Sequence, residues 1–234
     1  MKKLSILFLL IVMSGCAGTT SIQQILEDRK SPLMYLHDTV PVPEKKGGTI
    51  SIGQFIVADV LPPTTVVINK SSSVVPLLVY NTWSQEDQAR LGYAQLENDY
   101  KHFFRDSFIE EIRRSCGYAY KTDSGDLVLE ITVNKLEMSA PINQRGFFFF
   151  ALIVFGGGNQ TSIGPVDVVI SADVKATKNG SVVLDKKLAG RFRTAVFTAK
   201  GNAILQDYTV AMIEGVSMAV KNLNEIIVQE INKS

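Results

Sequence analysis

An α+β fold, with an antiparallel or mixed sheet and two long helices packed on one face, is predicted by two helical periods set among strand-like segments. Between Gln88 and Cys116, Leu96, Tyr100, Phe103, Phe104, Phe108, Ile109 and Ile112 recur at spacings of three and four, with charged residues at most of the positions between. From Asn202 to Ile231, Leu205, Tyr208, Met212, Val216, Ala219, Leu223 and Val228 keep one face apolar in the same way. In "DLVLEITVNKLEM", 126 to 138, the pattern changes to that of a half-buried strand, with Leu127, Leu129, Ile131 and Val133 on one face and Glu130, Thr132 and Asn134 on the other.

The chain opens with "MKKLSILFLLIVMSGCAGTT": two lysines, an apolar run from Leu4 to Met13, then small residues closing on Cys16. The run is about 10 residues, half of the roughly 20 needed to cross a bilayer, so it has the layout of a secretory signal. Met13-Ser14-Gly15-Cys16 resembles the lipobox of bacterial lipoproteins. That resemblance implies cleavage after Gly15, acylation of Cys16, and a membrane partner reached through the lipid. Several acyl chains hold a protein at a membrane where a single chain is marginal. The residue after the cysteine is Ala17, not the aspartate that retains such proteins at the inner membrane, so the resemblance implies an outer-membrane anchor facing the periplasm.

Residues 1–15 are thus read as signal peptide, 16–46 as lipidated N-terminus and tether, and 47–234 as one α+β domain. Loss of Lys2 and Lys3 leaves 22 of the 24 basic residues against 23 acidic ones. A chain so nearly neutral offers no basic stripe for nucleic acid. Cys116 is the only other cysteine and falls at an apolar helical position, which reads as packing.

After the tether, "TISIGQFIVADV" is strand-like, and "LPPTTVVI" and "SVVPLLVYNTW" are extended segments whose prolines suit sheet edges, with "NKSSS" between them read as a turn. The first helix is expected to stop at Gly117, with Arg113 and Arg114 at the negative end of its dipole. "VDVVISADVKATKNGSVVLDKKLAGRFRT" reads as a hairpin turning at Asn179-Gly180, whose charged return strand suits a solvent-facing side or a protected edge.

Catalytic, cofactor and metal sites are not expected. The two histidines, His37 and His102, are far apart in sequence, and no HExxH, CxxC, nucleophile elbow or EF-hand pattern occurs. "GGGNQTSIG" lacks the lysine and helix of a phosphate loop and reads as a flexible connection.

The segment with functional content is "RGFFFFALIVFGGGN", 145 to 159. Phe147, Phe148, Phe149, Phe150, Leu152, Ile153, Val154 and Phe155 are the candidate partner or membrane contacts. Two readings compete: a central strand covered on both faces, or an exposed docking loop. A membrane strand is also long enough, but nine residues apolar on both sides lack the alternation of a barrel strand.

The helix "FFRDSFIEEIRRSCGY", the strand "DLVLEITVNKLEM", the hairpin and the closing helix are together similar in order and pattern to small Gram-negative envelope lipoproteins, of the YajG type or the auxiliary lipoproteins of ABC-type transport systems. The resemblance implies a non-enzymatic accessory or interaction factor in envelope assembly or transport with an envelope protein partner. A carrier of lipid or another apolar ligand, and a subunit of an oligomeric secretion pore, are the alternatives.

Overall fold

The computed structural model describes residues 17–36, 47–76, 80–151, 154–195 and 203–233. In chain order these form α1 (Ala17–Glu27), β1 (Thr49–Val57), β2 (Val66–Pro76), β3 (Tyr80–Arg90), a 3-10 turn (Tyr93–Gln95), α2 (Tyr100–Ser115), β4 (Ala119–Tyr120), β5 (Leu127–Ala151), β6 (Val154–Ile163), β7 (Asp167–Lys178), β8 (Ser181–Arg193) and α3 (Ala203–Lys233). Cys16, His37, Leu152 and Ile153 lie outside the described residues.

The 25-residue β5 organises the molecule, because its two halves pair with different neighbours. Leu127 to Val133 lies between β1, which is parallel to it, and the antiparallel β7, whose pairing continues to Ser139, giving a core sheet in the order β4-β1-β5-β7-β8. Ala140 to Ala151 lies between β3 and β6, giving an antiparallel sheet in the order β2-β3-β5-β6. The sheet is therefore mixed and mostly antiparallel, and among the described residues the two long helices α2 and α3 are joined by a shorter one, α1, over the "SIQQILEDRK" stretch.

Alternation explains which face is covered. Leu127, Leu129, Ile131 and Val133 of β5 and Val168, Ile170, Ala172, Val174 and Ala176 of β7 are all buried, and they join α3 in one core. α2 packs on the same face: Phe108 meets Phe55 of β1 at 5.8 Å between ring centroids, and Phe55 is in register with Ile131. The β7–β8 turn is the one expected, with Asn179 at φ 50° and Gly180 at φ 78°, the left-handed pair of a two-residue hairpin.

Several element boundaries move. The first helix begins at Tyr100, not near Gln88, because Gln88 and Ala89 complete the ladder with β5. Asp99 then starts the helix as its N-cap, accepting from the amides of Lys101 and His102. Its far end is not stopped by a left-handed glycine. Asn232 of α3 donates to the Ser115 carbonyl and accepts from the Gly117 amide, both at 2.9 Å, so a second helix supplies the cap.

"NKSSS" is not a turn but part of β2, with a bulge at Lys70 that absorbs the register shift. The segment read as a tether also contributes to the fold. Ile22 and Leu26 of α1 are buried, the Leu26 carbonyl accepts from the Thr209 hydroxyl, and Leu33 exchanges two hydrogen bonds with Asn98. The amphipathic spacing within "SIQQILEDRK" is what makes that packing available.

β8 meets α3 through charge as well as packing. Lys186 lies 2.5 Å and Lys233 2.6 Å from Glu230, and these ammonium groups pull its carboxyl from 4.5 down to about 2. A carboxyl depressed on folding contributes stability above its unfolded value and loses it as pH falls. Thermal melts of the wild type and Glu230→Gln should therefore differ near neutrality and converge between pH 4.5 and about 2. A gap that persisted unchanged at the acid end would refute the linkage.

Candidate interaction site

At Ala140–Pro141, β5 leaves the core sheet and enters a four-stranded blade. Tyr208 of α3, fully buried, donates its hydroxyl to the Pro141 carbonyl at 3.2 Å and so fixes the junction to the core. Burial raises the Tyr208 phenol well above its usual pKa, so it remains a donor. The blade's root is core: Ala89, Ala140, Ile142 and Ile163 are all buried. Exposure then rises along the strands, to 49% at Phe147, 37% at Phe149, 65% at Val74 and 52% at Val75.

Register places the two hairpin ends at the same end of this blade, since Tyr80 pairs with Phe149 and Thr82 with Phe147, while Val75 pairs with Thr82. Residues directly opposite share a face. One row across all four strands is Val75, Thr82, Phe147 and Gly158; the next row toward the root, on the opposite face, is Val74, Trp83, Gly146 and Asn159. The following rows are polar: Ser73, Ser84, Arg145 and Gln160, then Ser72, Gln85, Gln144 and Thr161. The blade is thus apolar toward its tip and polar along its middle.

The glycine run is strand, not a flexible connection: Gly156, Gly157 and Gly158 face Phe149, Phe148 and Phe147 in register. A Cβ at Gly157 would come within 2.7 Å of the Phe147 carbonyl oxygen, and one at Gly158 within 3.2 Å of the Phe147 ring. Trp83 uses Gly146 in the same way, its indole nitrogen lying 2.3 Å from where a Cβ would stand. Aromatic rings that cover glycines across a ladder stabilise strands that have little side chain of their own.

The six predicted contact residues that are described are thus brought together in two strands. Phe147, Phe148, Phe149 and Phe150 end β5, and Val154 and Phe155 begin β6, with Phe150 paired to Phe155. Where it is described, the segment is strand with Phe147 and Phe149 exposed, which is neither the doubly covered strand nor the loop of the two sequence readings. Local pattern misses this because the partner that lines up with it, β3, lies more than fifty residues away.

Two further features were not legible in the sequence. A cleft of about 550 Å³ lies between the blade's root and β5, lined by Leu61, Val66, Ile68, Leu136 and Met138 together with Arg90 and the Lys135–Glu137 ion pair. The exposed phenylalanines do not line it. The second is a polar cluster between the helices: Glu111, Lys221 and Asn224 are buried, Tyr35 donates to Glu111 at 2.8 Å, and Asn224 donates to Ser107 at 3.2 Å. Burial and then the Glu111 carboxylate push the Tyr35 phenol far above its usual range.

That cluster clamps the 31–36 segment onto α2 and α3, aided by the Met34 amide donating to Ser217. Tyr35→Phe removes a donor from a buried carboxylate and is expected to cost about 1–3 kcal/mol. Hydrogen exchange should quicken in residues 31–36, and an unchanged exchange pattern would show that the clamp lies elsewhere.

Among the described residues no three His, Cys, Asp or Glu side chains are grouped to hold a metal ion, and no helix is long and apolar enough to cross a membrane. His102 is exposed on α2, and Cys116 is half-buried against the core. No family model matches the chain, and no curated protein matches it. Among solved structures it is similar to protein XCC0632 from Xanthomonas campestris, described by the family model DUF330, at 13% identity and a TM-score of 0.44, over 88% of this chain and 96% of that one.

Proposed function

We propose that this chain is a lipid-anchored envelope protein, held through Cys16 at the outer membrane and facing the periplasm, that acts without catalysis as an accessory in envelope assembly or transport. The working element in this reading is the blade, and its tip enters the apolar phase of a membrane. The observation that carries the proposal is the meeting of two apolar hairpin ends at one exposed end of a four-stranded sheet. Large exposed apolar patches mark contacts with membranes or partners.

Attachment of α1 supports the same reading. It begins at Ala17, directly after the lipobox-like cysteine, and is fixed to α3 through Leu26 and Thr209. Tyr208, the neighbour of Thr209, holds the blade junction. An anchor at the start of α1 would therefore act on the same part of the fold that carries the blade.

The test uses residues 17–234, without the acyl group, and phosphatidylcholine vesicles. Phe147→Ser with Phe149→Ser removes two half-exposed rings, on the order of 2 kcal/mol of transfer free energy together, which is roughly thirtyfold in partitioning. Wild-type protein should co-sediment with vesicles and the double variant should lose most of that binding. Equal binding of the two would overturn the role of the tip.

A further inference from the structure

The edges of the blade differ from the edge of the core sheet. β8 ends the core sheet and is charged along its length, with Asp185, Lys186, Lys187, Arg191 and Arg193. At the opposite end, β4 is two residues long. Charges and short strands are the usual protections of an exposed edge, because they oppose pairing with another chain.

Neither protection is present on the blade. Among the described residues β2 pairs only with β3, and β6 only with β5, so although α1 approaches β2 and α3 approaches β6, no strand takes up the outer backbone donors and acceptors of either. β6, Val154–Ile163, has no charged residue, and β2, Val66–Pro76, has Lys70 alone, at the bulge. The blade's other charges, Glu86, Asp87, Arg90 and Arg145, are all on its inner strands β3 and β5. That is the reverse of a protected edge.

Direction then selects a partner. β2 runs toward the tip, β3 away, β5 toward it and β6 away. When two copies stand side by side with their tips pointing the same way, β6 of one and β2 of the next are antiparallel, and the alternation continues unbroken. Pairing β2 with another β2 gives a parallel ladder in that orientation, or opposed tips if antiparallel. We infer that copies of this chain assemble head-to-tail through their blades, β6 of one copy pairing with β2 of the next. A heterologous contact of this kind propagates into a ring or an open array. The common direction of the tips rests on the membrane reading above; the unprotected edges do not.

The experiment uses the full-length acylated protein in detergent micelles and on phosphatidylcholine vesicles, with particle mass as the readout. Ser71, Ser73, Gln160 and Ser162 are exposed and lie on one face of the two edges. A chain with lysine at all four positions should run as a single protomer, whereas the wild type should run as multiples. A chain with Ser71→Lys, Ser73→Lys, Gln160→Glu and Ser162→Glu should assemble again, because head-to-tail contact sets lysine against glutamate. Two-fold pairing of like edges would instead set lysine against lysine and glutamate against glutamate.

Far-ultraviolet circular dichroism confirms that each variant is folded before its mass is read. A wild type that stays monomeric in micelles and on vesicles, or a Lys/Glu chain that fails to assemble where the wild type does, overturns the inference. Vesicle binding is scored separately on the same samples: assembly without tip insertion would sink the membrane reading alone, and insertion by a monomer would sink the assembly alone.

Discussion

Phe108→Ala is expected to destabilise the fold by about 3–5 kcal/mol, the range for deleting a buried aromatic ring without collapse of the site. Phe108 is fully buried and lies where α2 meets the sheet, with the Phe55 ring 5.8 Å away. The neighbouring core side chains, Phe104 and Ile112, are on the same helix and are held by its backbone, so they cannot close the space left behind. Domains of this kind are stable by about 5–15 kcal/mol, so the variant gives up a large share of the total. Urea unfolding at equal slope should show the midpoint fall. A loss below about 1 kcal/mol would mean that α2 is not docked through this residue.

Gly190→Val should rank next. A Cβ at Gly190 of β8 would stand 2.3 Å from the Ala219 carbonyl oxygen and 2.4 Å from the Leu223 amide nitrogen, both backbone atoms of α3. A side-chain end can swing away, but a helix backbone moves only as a unit. α3 would have to lift from β8, loosening the packing of Val216, Ala219 and Val220. Overpacking of this kind costs about 1–3 kcal/mol, with the upper end expected here because the clash is with backbone. The measurement is the melting temperature of Gly190→Ala and Gly190→Val against wild type. Equal stability in all three would show that α3 approaches β8 less closely than this.

The helices and the core strands were readable because each buries one stripe against one core. Leu127, Leu129, Ile131 and Val133 alternate in the sequence and are buried as that alternation implies. The hairpin at Asn179-Gly180 was readable for a local reason as well, since its two left-handed residues specify the turn.

The blade was not readable in the same way. Its strands are exposed over much of both faces, so no stripe marks them, and "NKSSS" and "GGGNQTSIG" carry the residues of turns while occupying strands. Their strand state depends on register with distant partners: glycines on β6 lie under phenylalanines of β5, and Trp83 of β3 lies over Gly146 of β5. The buried polar cluster was not readable for a related reason. Tyr35, Glu111 and Asn224 are separated by long stretches of chain, and each reads alone as an ordinary surface residue.

What the sequence determined by itself is the set of elements that follow from a single period: two amphipathic helices, the alternating strands they cover, and a phenylalanine-rich segment too apolar to be an ordinary surface. The tertiary structure decided where that segment goes. Pairing with β3 and β6 turns it into the end of a blade beside a second apolar hairpin end, with no further strand on either edge among the described residues. The physical reason is the range of the interactions involved. Burial periodicity is written within one turn or one strand, whereas register, edge exposure and the meeting of two hairpin ends arise only when residues far apart in the chain share a ladder.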